Sequence, residues 1–301
     1  MYKFNTQIDI AFNQKKLPDF YDVAFSMKPV DERGKHSCKI IANSAKKVQE
    51  VFYDNESLSI SISEESVCLK DLKNFDGFDC FDTFLFDSTT LSFAEILILL
   101  RKVVGLKKDC KIGFIYSQPC RYEKAYADPQ DTHSFSLSNQ INQVDYIPGF
   151  NSLSQQGSNV FLLAFVGFED TRLSRALNPD EGSSYSDFSP VLCVPPFITG
   201  WENHSLMNHV KLFQEFTPYE VHFTSAFSFV TSYNKVLSIK QSLSTETFVI
   251  APFGPKPTSV GVALCVAENE DISVIYDFPS QAEGRSCGVG ATHYMNVLLE
   301  H

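Results

Sequence analysis

The run Val160-Phe-Leu-Leu-Ala-Phe-Val166 constrains the fold more than any other feature of this chain. An unbroken apolar strand needs cover on both faces, which a half-solvated antiparallel sheet with alternating residues does not supply. Comparable short runs rich in β-branched and aromatic residues fall at 23–27, 58–62, 81–86, 111–116, 191–194, 220–223, 248–251 and 273–276. Segments with helical spacing lie between them, at 43–53, 92–104, 171–177, 202–216, 229–243 and 257–267. The helix at 92–104 opens with Ser92 and Glu95, the spacing of a capping box. Strands that cannot pair through short hairpins read as a βαβ series with right-handed crossovers. The expected fold class is therefore α/β, Rossmann-like, with a mostly parallel sheet and helices on both faces.

The alternation holds from about residue 79 to 277. This divides the 301 residues into an N-terminal subdomain or sheet edge (1–75) and an α/β core (76–298), with 299–301 read as a tag remnant. The polar stretch within 118–158 reads as a long insertion between strands, and 178–189 as a second surface loop. No internal repeat or low-complexity tract is present.

Composition narrows the function classes. At 44% hydrophobic and 20% charged, the chain is rich enough in apolar residues to form a packed core. The net charge of −11 repels a polyanion over most of the surface, which argues against long nucleic acid as a partner. No apolar stretch approaches the roughly 20 residues of a membrane helix, and the first residues lack a signal-peptide core, so a cytoplasmic protein without membrane contact is expected. Eight cysteines contain no Cys-x-x-Cys pair and read as free thiols rather than disulfides or zinc ligands. His204 and His209 are five apart, off the three-or-four spacing of a helical chelating pair, so no metal and no cofactor is expected.

In open α/β sheets, ligands sit outside the carboxyl ends of the strands. The residues that follow the apolar runs are polar or small: Asp87-Ser88-Thr89, Ser117-Gln118, Gly167-Phe168-Glu169-Asp170-Thr171-Arg172, Gly254-Pro-Lys256-Pro-Thr258-Ser259 and Asp277. A lysine and two hydroxyls at a helix start suit an anion, because orphan amides and the helix dipole point the same way. Pro255 and Pro257 remove two backbone donors, which leaves more to Lys256, Thr258 and Ser259. The same residues also fit a stiff strand-to-helix turn with no ligand. Glu169 and Asp170 complement a helix start, and Arg172 either grips a phosphate or pairs with a nearby acid. Phe168, Phe197, Phe227, Phe253 and Phe278 are core residues by default, with base stacking as the alternative. Cys287 and His293 could suggest a nucleophile and base, but the intervening glycines fit a strand or turn equally well.

A strand followed by Gly254, one residue, Lys256 and a helix resembles the glycine-x-lysine loop of CARF domains, the Rossmann-like sensors of cyclic oligonucleotides in prokaryotic defence. The resemblance implies a small nucleotide-like ligand, with Asp87, Ser88 and Thr89 as the counterpart polar residues of the first loop. The expected function is a binding or sensing module for such a phosphate-bearing ligand. Its contacts are drawn from Asp87, Ser88, Thr89, Ser117, Gln118, Glu169, Asp170, Arg172, Gly254, Lys256, Thr258 and Ser259. The alternatives are an enzyme acting on a nucleotide or nucleoside through Asp87, Glu169 or Asp170, and a protein-interaction subunit without ligand. A homodimer or a partner protein is compatible with either.

Overall fold

The computed structural model describes residues 1–5, 7–11, 13–122, 137–140, 144–151, 159–178, 185–243, 247–281, 284 and 286–301. The chain forms two compact units, Met1–Tyr122 with Ser286–His301, and Glu123–Arg285. It opens with β1 (Tyr2–Phe4), β2 (Ile8–Ile10), β3 (Tyr21–Ser26), α1 (Glu32–Ala42) and β4 (Ala45–Asp54). Then come β5 (Ser59–Ile62), β6 (Glu65–Cys68), a short 3-10 helix (Leu69–Asn74), β7 (Thr83–Asp87), α2 (Phe93–Val104) and β8 (Cys110–Tyr122). The second unit contains β9 (Ser138–Gln140), β10 (Asp145–Tyr146), β11 (Val160–Phe165), α3 (Asp170–Leu177), β12 (Asp187–Cys193) and α4 (Trp201–Glu215). It continues through β13 (His222–Thr224), α5 (Phe229–Ser242), β14 (Thr247–Pro252), α6 (Lys256–Glu268), β15 (Ile272–Tyr276) and β16 (Ser280–Gln281). β17 (Ser286–Leu299) returns to the first unit.

This architecture overturns the expected single, mostly parallel Rossmann-like sheet. The first unit has a nine-stranded mixed sheet in the order β1-β17-β8-β7-β3-β4-β5-β6, with β2 also on β17. Its three central pairings, β4–β3, β3–β7 and β7–β8, are parallel. The pairings outside them are antiparallel. β17 accounts for much of the difference: it lies along β8 from Ser286↔Tyr122 to Leu299↔Cys110. Its glycines and the Cys287-to-His293 stretch are strand, and Leu299 is buried in the sheet.

The division between units falls at residues 122 and 285, not near 75. Residues 1–75 supply β1 to β6 and the 3-10 helix of the first sheet, and the expected insertion at 118–158 begins the second unit. Of that insertion, 123–136, 141–143 and 152–158 lie outside the described residues, as do 179–184 of the expected surface loop.

The second unit has a six-stranded sheet in the order β10-β15-β14-β11-β12-β13. Five of its strands are parallel, and β10 pairs antiparallel with β15. The chain moves from β11 to β12 to β13, then returns past β11 to β14 and β15, so strand order reverses between β11 and β14. α3 packs on α4 and α5 on α6, and the right-handed crossovers that rule βαβ units assign the two pairs to opposite faces of this strand order. Cover on both faces is what the apolar β11 and β14 require.

The segment expected as a helix at 43–53 is mostly strand β4. Gln49, Val51 and Tyr53 are buried at alternate positions while Val48, Glu50 and Phe52 are exposed, so period two prevails over the helical spacing of the segment. The capping box at α2 is present: Glu95 accepts from the Ser92 amide at 2.8 Å, and its other oxygen accepts from the Tyr53 amide of β4 at 3.0 Å. Many phenylalanines fill cores, as in the Phe25–Phe78 and Phe86–Phe114 ring contacts at 5.1 and 5.3 Å. All eight cysteines are free thiols.

Candidate functional site

The sequence-derived residues divide between the two units, at the carboxyl ends of two separate sheets. Glu169, Asp170, Arg172, Gly254, Lys256, Thr258 and Ser259 belong to the second unit and gather where its strand order reverses. β11 and β14 end side by side, with Phe165 opposite Pro252. The loops beyond them run so close that a Cβ on Gly167 would stand 2.9 Å from the Phe253 carbonyl oxygen.

Arg172, in the first turn of α3, reaches across this junction. Its Nε and Nη2 donate to the two oxygens of Asp277 at 2.7 and 2.6 Å, and Nη1 donates to the Phe253 carbonyl at 3.3 Å. The guanidinium carbon lies 4.6 Å from the centre of the Phe253 ring. Burial opposes the charge, but Asp277 outweighs it and holds the guanidinium above its usual range. Arg172 is therefore matched by a carboxylate with no solvent exposure and does not present an unbalanced charge to a ligand. Asp277, just beyond β15, was one strand-end residue among many in the sequence. Nothing local marks it as the partner of a residue 105 positions away.

Lys256 begins α6, and Gly254 lies in the tight turn before it, where an added Cβ would meet the Thr258 hydroxyl at 2.8 Å. Thr258 donates to the Pro255 carbonyl at 2.7 Å, and Ser259 lies 3.2 Å from the same carbonyl. Both hydroxyls thus turn their protons toward backbone oxygens and cap the turn. Glu169 is the N-cap of α3 and accepts from the Leu137 amide at 3.1 Å, and Asp170 is the first helical residue.

α4 supplies contacts that sequence reading missed. Ser205 donates to the Gly167 carbonyl at 2.5 Å, and Asn208 to the Phe168 carbonyl at 2.7 Å. His209 is fully buried, with Nδ1 2.8 Å from the Ser205 carbonyl. Burial lowers its basicity against the opposing pull of that carbonyl and Asp170. The strand-end aromatics are engaged with other rings: Phe168 with Trp201, Phe197 with Phe227, and Phe278 with Tyr276, at 5.5, 5.2 and 5.3 Å.

In the first unit, Asp87, Ser88, Thr89, Ser117 and Gln118 occupy the corresponding ends of β7 and β8, where strand order reverses between β3 and β7. This junction is filled by its own side chains. Asp87, with no exposure, accepts from the Ser37 hydroxyl, the Thr89 amide and the Thr90 hydroxyl at 2.8, 3.0 and 3.0 Å. Burial pushes its carboxyl above the usual range, with these hydrogen bonds opposing. Ser88 donates to the Ile115 carbonyl at 2.7 Å. Thr89 accepts from the Ser117 amide at 3.0 Å, and the Ser117 hydroxyl pairs with that of Thr292 at 2.9 Å. Gln118 is half-buried beside Gly290. For Asp87 to meet a sugar, this closed network would have to open.

Among the described residues, no group of three or more histidine, cysteine, aspartate or glutamate side chains is placed to hold a metal ion, and no helix is long and apolar enough to cross a membrane. No family model matches this sequence, and no curated protein matches it. Fold and site together define an α/β protein of two units, the second of which has a doubly wound strand order with its loops converging at the reversal.

Proposed function

We propose that the chain is a binding or sensing module for a small, nucleotide-like, phosphate-bearing ligand, received by the second unit at the carboxyl ends of β11 and β14. The observation that supports this reading is the reversal of strand order between those two strands, where open α/β sheets receive ligands. In this reading Lys256 takes the anion. An ammonium carries three donors and can receive a phosphate oxygen alongside other contacts, and the N-terminus of α6 adds a favourable dipole. Arg172, fixed by Asp277, forms a rigid wall beside Phe253 rather than the primary cation. Thr258 and Ser259 shape the turn that presents Lys256. With so few cations at the junction and −11 overall, the ligand carries few phosphates and is not a long nucleic acid.

Trp201 is the only tryptophan and packs on Phe168 of the β11–α3 loop, so its fluorescence reports on the junction. Titration with a panel of mono-, di- and cyclic nucleotides is expected to change this fluorescence and raise the melting temperature. Lys256→Ala is expected to weaken binding by about tenfold, the scale of one charged contact. Full affinity in that variant overturns the assignment, and no response to any nucleotide overturns the reading itself.

A further inference from the structure

In the first unit, a surface cavity of about 510 Å³ opens where the loop before β3 meets the end of α1, a size that suits a small molecule. Gln14, Lys15, Lys16, Asp19, Phe20 and Asn43 contribute to its lining. The loop is firmly held. Asn43, the C-cap of α1, donates its side-chain amide to the Lys39 and Lys15 carbonyls at 2.9 and 3.1 Å, and Gln14 donates to the Lys16 carbonyl at 2.9 Å. The Leu17 amide donates to the Ser44 hydroxyl at 2.8 Å, and that hydroxyl donates to the Ile40 carbonyl at 2.8 Å. These bonds cover carbonyls at the negative end of α1, which would otherwise oppose an anion.

The cavity carries positive charge. Lys15 and Lys16 are exposed, and among the described residues neither ammonium has a carboxylate partner. Asp19 is the one carboxylate in the lining, and its charge is already taken up. It pairs with Lys111 at 2.6 Å and accepts from Tyr294 and Asn296, each at 2.6 Å. Burial opposes ionisation of Asp19, but these partners outweigh it and hold the carboxyl below its usual range. With Asp19 balanced by Lys111, the two free lysines set the local charge. Phe20 adds a ring that is 60% exposed. The surrounding unit does not repel an anion: it has 17 lysines and arginines against 18 acidic residues, whereas the second unit, with 8 against 18, bears most of the −11.

We propose that this cavity binds a small dianion carrying a planar ring, of the aryl phosphate kind, with Lys15 and Lys16 on the anion and the ring against Phe20. The site is separate from the one proposed in the second unit. Phenyl phosphate is the probe, followed by ligand-observed NMR on the full chain, with ethyl phosphate lacking the ring and phenol lacking the charge. Phenyl phosphate is expected to bind with a dissociation constant on the order of 1 mM, and the other two several-fold more weakly. Lys15→Glu with Lys16→Glu weakens phenyl phosphate by about tenfold or more, and the milder Lys15→Gln with Lys16→Gln by less. Phe20→Ala weakens phenyl phosphate about threefold and leaves ethyl phosphate unchanged. Lys256→Ala has no effect on either. All three side chains at the cavity are exposed, and circular dichroism verifies that their variants are folded. Absence of phenyl phosphate binding overturns the proposal, as does full affinity in the Lys15→Glu, Lys16→Glu variant. A loss that appears with Lys256→Ala instead overturns it too, because the probe then sits in the second unit.

Discussion

Arg172 and Asp277 face each other through two parallel hydrogen bonds of 2.7 and 2.6 Å, with the carboxylate wholly enclosed and the arginine 11% exposed. The pair ties the start of α3 to the end of β15 across the carboxyl ends of the sheet. Removing one member strands a desolvated charge, so Asp277→Ala is expected to cost the second unit about 3–5 kcal/mol. Replacing both residues, Arg172→Met with Asp277→Leu, is expected to cost far less. Urea unfolding followed by Trp201 fluorescence checks both, since the only tryptophan lies in this unit.

In the first unit, the Tyr21 and Tyr294 hydroxyls are hydrogen-bonded across 273 positions of sequence. Tyr294 donates on to Asp19 at 2.6 Å, which also accepts from Asn296 at 2.6 Å and pairs with Lys111 at 2.6 Å. Tyr294→Phe leaves the buried Tyr21 hydroxyl without this partner and removes a donor from Asp19, an expected loss of about 1–3 kcal/mol. Amide hydrogen exchange of β3 and β17 is the direct measurement, and unchanged protection in both strands would contradict the network.

Gly261 of α6 lies where a second helix, α5, comes closest. A Cβ there would stand 2.2 Å from the Phe229 carbonyl oxygen and 2.8 Å from Ser232 Cβ, so α5 and α6 meet almost backbone to backbone. Gly261→Ala forces them apart. The expected destabilisation is about 1–3 kcal/mol, in spite of the roughly 1 kcal/mol by which alanine is the better helix former. Thermal unfolding followed by Trp201 fluorescence measures it.

Asp22 connects the start of β3 to β7. It accepts from Lys46 at 2.7 Å, from the Thr83 hydroxyl at 2.9 Å, and from the amides of Asp82 and Thr83 at 3.1 Å. Lys46 and these donors hold its carboxyl at about 2, against a smaller opposing effect of burial. Because the folded value is depressed, the stabilisation is present above the ordinary aspartate value of about 3.9 and is lost as pH falls through the folded value. The carboxylate is 22% exposed and Lys46 mostly so, which limits the contribution to the order of 1 kcal/mol. Asp22→Asn is expected to flatten this part of the stability profile between about pH 4 and pH 2, read by urea unfolding at several pH values.

Every strand expected from an apolar run overlaps a strand in the structure, and the helices at 92–104 and 202–216 are displaced by a residue or so. These elements were legible because both their periodicity and their end signals are local, as with Ser92 and Glu95. α1 was not read as a helix because the face it buries includes Arg33, Gly34 and Ser37 alongside Ile40 and Ile41, so its apolar stripe is short. β17 was not legible as one long strand because Gly288 and Gly290 fit a strand or a turn equally well, and only its pairing beside β8 decides between them. The candidate site was legible only as a set of strand ends.

By itself, the sequence determined that its short apolar runs are strands, where polar residues follow them, and that the chain as a whole repels polyanions. Tertiary structure alone decided which strands share a sheet, so the polar ends at 87 and 117 parted from those at 169 and 256. It also decided that Arg172 belongs to Asp277 and that Asp87 is sealed beneath Ser37 and Thr90. Periodicity is set by residues a few positions apart, whereas sheet membership and the pairing of buried charges depend on neighbours up to hundreds of positions away, which no local pattern encodes.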